Sequence, residues 1–191
     1  MLKMLTGRLS LLDRNLNINH IDLKNQEIKT MNINTIIISV VIFSYGTWFI
    51  LAVFNNLVDF KTNKFLIGKM ITMEEIINDP NLGNKLQSRA INGEHWPSII
   101  LSCVICYQLI TAIKLAFTGF MLINLVISGG SITNEVLLGV NYSLLMLLIL
   151  WFGFLTGGLW FGYWMKMPQV QLVHLLLVLT TLLCLILVNS L

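Results

Sequence analysis

Four long apolar runs separated by polar stretches of unequal length set the pattern of the chain. The first extends from about Ile33 to Phe54, roughly 22 residues without a charge, enough at about 1.5 Å per residue to cross a hydrocarbon core of about 30 Å. The other three cover about 97–122, 136–160 and 169–188. The pattern predicts an all-α polytopic membrane protein, with four transmembrane helices in a domain over 33–191 and a polar loop at 55–96. Local signals mark the ends. Trp96 and Pro97 open the second span, with proline where its missing donor costs nothing. Thr72-Met73-Glu74-Glu75 fits a capping box opening a short helix in the first loop. Asp79-Pro80-Asn81 and Ser128-Gly129-Gly130-Ser131 read as turns, and Lys166-Met167-Pro168 as a tight reversal. Ahead of the first span, 1–32 is a polar extension in which Leu2, Leu5, Leu9 and Leu12 fall at helical spacing with Lys3, Arg8 and Arg14 between them. Such an amphipathic segment suits a membrane surface or a partner. It also has the character of a targeting presequence, except that Asp13, Asp22 and Glu27 are acidic.

Composition agrees with the pattern. Of the 191 residues 56% are hydrophobic and 11% charged, against roughly 45–50% and about 25% in soluble domains. Lipids are therefore the expected surroundings. The net charge of +3 is spread along the chain, which excludes the basic stripe of a nucleic-acid binder. Five Lys or Arg precede the first span, five lie in the first loop and none in the second, so the positive-inside rule leaves the orientation open. Cys103, Cys106 and Cys184 all fall in apolar runs and read as packing residues, with no zinc or disulfide framework.

A four-span zigzag brings the end of the first span, the start of the second, the end of the third and the start of the fourth to one face. That face collects a candidate polar site: Asn55, Asn56, Asp59, Glu94, His95, Gln108 and His174. Polar residues at membrane depth are costly and usually face a bundle interior, which suits either helix–helix hydrogen bonds or a transport path. Gln108, Asn141 and His174 fit the first role more simply. His95 and His174 are the one pair that suits a bis-histidine haem between helices. The third span ends in an aromatic–glycine run, where Gly153 and Gly157, and Gly158 and Gly162, repeat the small-xxx-small spacing of closely packed helices. Trp151, Trp160 and Trp164 read as an interfacial belt. No nucleophile–base–acid set, phosphate-cradling loop or metal-ligand cluster is present, so no enzymatic activity, cofactor or metal is expected.

The run Phe54-Asn55-Asn56-Leu57-Val58-Asp59, the loop end Arg89-Ala90-Ile91 with His95, and Trp151 through Phe161 followed by Tyr163-Trp164 resemble a bacterial family of predicted small integral membrane proteins of unknown function, common in proteobacteria. The resemblance covers about 33–191 and implies four helices. It also implies acidic residues at two positions that here read Gln108 and Leu159, so a proton or cation site of the family pattern is missing. Abundant Ile, Asn and Lys in place of Val, Ala and Arg fit an AT-rich genome, such as that of an organelle, a ciliate-like protist or an intracellular bacterium. Together these readings lead to a non-catalytic accessory subunit of a hetero-oligomeric membrane complex, foremost a respiratory-chain complex of the mitochondrial inner membrane, with a bacterial cytoplasmic membrane as the alternative location. A small carrier or channel with a polar mouth is the second reading, and a haem-binding subunit the third.

Overall fold

A computed structural model describes residues 33–82 and 85–190. The amphipathic extension at 1–32 lies outside the described residues. The described chain is helical throughout: α1 (Ile33–Val58), α2 (Phe60–Ile71), α3 (Glu74–Ile77), α4 (Trp96–Ser128), α5 (Asn134–Trp160) and α6 (Pro168–Ser190), with single 3-10 turns at Gln87–Arg89 and Tyr163–Met165. Four of these, α1, α4, α5 and α6, are long and apolar enough to span a membrane.

The helices outrun the apolar runs that announce them. Backbone hydrogen bonds continue through Asn55 and Asn56, and the Asp59 N–H still reaches the Asn55 carbonyl at 2.9 Å. Only Asp59, at φ −111° and ψ 48°, breaks the rod before α2 begins. α4 continues to Ser128 and stops at Gly129, whose φ of 65° supplies the left-handed conformation that ends a helix. Thr133 starts α5 by accepting the Val136 N–H on its hydroxyl at 3.4 Å. The expected capping box does not form. The Thr72 hydroxyl turns back to the Gly68 carbonyl of α2 at 2.9 Å, and α3 is preceded by Met73 in a left-handed conformation without a side-chain cap. A threonine at a helix end has both options, and here the nearer carbonyl wins.

α1 and α2 together run antiparallel along the whole of α4. Ile42 lies against Gly119, and Gly46 would place a Cβ 3.6 Å from the Leu115 Cβ. Asn56 then donates to Gln108 at 2.7 Å, and Gly68 meets Pro97. α5 joins α4 through the Thr118 and Ser143 hydroxyls, 3.1 Å apart, and through the Tyr107 hydroxyl, which donates to the Met146 carbonyl at 3.0 Å. α6 joins α5 at both ends. Asn141 and Asn189 exchange reciprocal amide bonds of 2.9 and 2.8 Å, and Gln171 donates to the Leu155 carbonyl at 3.1 Å. Between them lies an apolar core including Phe49, Leu115, Leu122, Leu144, Leu147 and Trp151. The Phe49 and Trp151 rings meet edge to face at 5.5 Å, a favoured aromatic geometry.

Helix length fixes the depth of each end. The 33 residues of α4 make a rod about 50 Å long, more than the roughly 40–45 Å of a whole bilayer. The apolar run of α1 stops at Phe54, level with Gln108 of α4. The charged helices α2 and α3, which follow the apolar run of α1, are therefore expected in the headgroup layer beside the start of α4. Lys114 lies under two turns below Gln108, half-buried, and its long stem carries the ammonium toward that layer.

A Cβ at Gly158 would overlap the Gln171 amide, the mobile end of a flexible side chain. The G158A substitution is expected to swing Gln171 off the Leu155 carbonyl and cost about 1 kcal/mol. Because both changes break the same contact, G158A combined with Q171A should cost no more than Q171A alone, measured as unfolding midpoints in detergent through a double-mutant cycle.

Candidate functional site

The residues expected to form one polar face separate into two levels. Asn56 and Gln108 satisfy each other, with Gln108 only 5% exposed. Asn55 and Asp59 point away from this pair and are exposed. Glu94 and His95 are exposed at the start of α4, and His95, thirteen residues before Gln108 on the same rod, stands about 20 Å from it by helical rise. His174 packs its ring on Phe154 at 4.8 Å, with its Nδ1 buried and unpartnered. Cys103 and Cys106 are exposed on α4, while Cys184 points at the Tyr45 hydroxyl at 3.8 Å. Among the described residues no group of three His, Cys, Asp or Glu side chains is placed to hold a metal.

The four glycines of the third span also divide. Gly158 faces α6, and Gly162, at φ 66°, turns the chain after α5 with Ile76 close against it. Around Gly153 and Gly157, by contrast, nothing comes within 4 Å of where a Cβ would stand. Thr156 between them is exposed as well. The outer face of α5 thus carries an open small-residue groove that the chain's own fold leaves unused.

A second feature at the headgroup end was not read from the sequence: an open cleft of about 610 Å³, lined chiefly by Lys69, Glu74, Glu75, Asn78, Asp79 and Lys166. It is built by the tight return after α2. Met73, at φ 55°, is the only non-glycine residue with positive φ among those described. It tolerates that conformation because its side chain is buried with Ile76. The Asx turn closing α3, Asn81 N–H onto the Asp79 carboxylate at 3.0 Å, aims Asp79 across the cleft. Lys166, on the reversal between α5 and α6, meets it at 2.6 Å, and Lys69 reaches Glu75 more loosely at 3.5 Å. Nearby, the Arg89 guanidinium lies 4.9 Å from the Trp160 ring centre and donates to the Trp160 carbonyl at 3.4 Å. A cation there suits the negative end of α5. Tyr163 donates to the Phe154 carbonyl at 2.9 Å. Burial pushes its phenol up to about 12, so it is a neutral donor at physiological pH.

The Lys166 ammonium beside Asp79, helped by the Asn81 N–H, holds that carboxyl below its usual range. No spacing signal could have found this pair, whose members are 87 positions apart.

Comparison with known proteins gives a family and nothing finer. The family described as predicted small integral membrane protein (DUF2165) matches residues 35–190. No curated protein and no solved structure matches the chain.

Because the folded-state pKa of Asp79 is depressed, the stability it contributes is present above the ordinary carboxyl range and is lost as pH falls through the lowered value. As pH falls below the ordinary carboxyl range of about 4, the unfolding midpoint of the wild type should therefore drop by more than that of D79N. Parallel curves for the two proteins would show that the Asp79–Lys166 bridge does not hold the reversal to α3.

Proposed function

The chain belongs to the DUF2165 family of predicted small integral membrane proteins, and on that premise we propose that it is a non-catalytic helical subunit that packs into a larger membrane assembly. The observation that carries the reading is the open groove at Gly153, Thr156 and Gly157. In hydrocarbon, apolar faces gain little by touching one another, so close approach at small residues is a main source of helix association. Gly46 and Gly158 are spent on contacts inside the chain, whereas Gly153 and Gly157 meet open space. The setting we favour is a respiratory-chain complex of the mitochondrial inner membrane, on the compositional grounds given above. A carrier is less well supported, because the two amides best placed to line a path, Asn56 and Gln108, are joined to each other.

Substituting Gly153→Leu or Gly157→Leu fills the groove without disturbing a contact within the chain. The expected outcome is an unfolding midpoint within about 0.5 kcal/mol of wild type together with a loss of at least tenfold in the membrane subunits recovered with the tagged protein. Undiminished recovery with both variants, or substrate uptake by vesicles holding this chain alone, would overturn the proposal.

A further inference from the structure

We propose that the headgroup-level cleft binds a lipid whose head joins a phosphodiester to a primary ammonium, as in phosphatidylethanolamine. This rests on the cleft alone and stands apart from the groove on α5. Three observations point to it. The cleft opens beside the start of α6 and the end of α5, two helices long and apolar enough to span, and the ends of spanning helices are where phosphates and head amines are met. Its charges are mixed: Lys69 and Lys166 face Glu74, Glu75 and Asp79. With three carboxylates against two ammoniums, a purely anionic head meets net repulsion, whereas a zwitterion satisfies both signs. Beneath the charges the floor of the cleft is apolar, closed and lined in part by Met70, Met73, Ile76, Tyr163 and Met167, a surface on which the glycerol and upper acyl carbons of a lipid can rest.

The bonds already present divide the roles. Asp79 and Lys166 are closely joined at 2.6 Å, while Lys69 and Glu75 are separated by 3.5 Å. Lys69, held by the 3.5 Å contact to Glu75 and lying 5.2 Å from the Phe65 ring centre, is thus the more loosely held cation that can turn toward a phosphate, and Glu74, exposed and without a side-chain hydrogen bond or ion pair in the described structure, is the carboxylate free to take an ammonium. The ammonium must be primary. Carboxylates accept its N–H groups as charge-assisted hydrogen bonds, whereas a quaternary head is held by a cage of several aromatic rings, and among the described residues Tyr163, on the apolar floor, is the one aromatic side chain lining the site.

The test uses the full chain in mild detergent, titrated with dioleoyl phosphatidylethanolamine, phosphatidylcholine and phosphatidylglycerol, with bound lipid read by native mass spectrometry. The ethanolamine lipid is expected to bind about fivefold tighter than either other, the size of one partly exposed charge-assisted contact. The E74Q variant, an isosteric change at an exposed position, should erase the preference for ethanolamine over choline. K69A should weaken both lipids alike. Soluble glycerophosphoethanolamine in equal concentration should fail to compete, and equal competition would make the ligand a free phosphate ester and overturn the lipid assignment. Equal affinity for the three lipids, or tighter binding of phosphatidylglycerol, overturns the proposal without recourse to any variant.

Discussion

A helix bundle in hydrocarbon cannot be held together by the hydrophobic effect, because lipid tails solvate leucine as well as other leucines do. The joints between the helices follow from that constraint. What remains to hold the helices is close approach at small residues and a few hydrogen bonds between helices. The chain places one of these at each joint: Asn56 with Gln108 between α1 and α4, Thr118 with Ser143 between α4 and α5, and Asn141 with Asn189 and Gln171 with Leu155 between α5 and α6. Each removes a polar group from lipid by giving it a partner, and each sets the register of its pair. Gly46, Gly119, Gly139 and Gly158 lie near these joints, where the backbones come closest.

The second constraint is length. Rods of 27 and 33 residues exceed a hydrocarbon core of about 30 Å, so one end of the bundle must live among headgroups. Among the described residues that end carries most of the charge: Lys61, Lys64 and Lys69 on α2, Glu74 and Glu75 on α3, Arg89 and Lys166 at the turns. The cleft is a consequence. A short helix turned back over the ends of α5 and α6 needs ion pairs to hold it, and those pairs leave a concave, mixed-charge surface at the depth of lipid heads.

The spans were legible because a run of about 20 apolar residues has few other uses. α2 was not, since lysines at its second, fifth and tenth positions make it read as loop when composition is the only guide. Thr72 shows the limit of a local motif: its hydroxyl had a capping box ahead of it and a helix carbonyl behind it, and sequence alone does not rank the two. The glycine repeats show another. Spacing places Gly153 with Gly157 and Gly158 with Gly162, but a one-residue offset is a rotation of about 100° on a helix, which decides whether a glycine faces α6 or open space. Polar residues were legible as candidates and not as pairs. Gln108 and Asn56 were both picked out, but not the bond that joins them, and His95 stands on another level of α4.

The claim that this chain works as part of a larger body is most directly tested by the size of the wild-type protein extracted from its own membrane in mild detergent, separated on a native gel and identified by mass spectrometry. The account predicts one band well above the mass of the chain, containing other membrane subunits in fixed ratio to it. Migration as a small species carrying only this chain and lipid would contradict it.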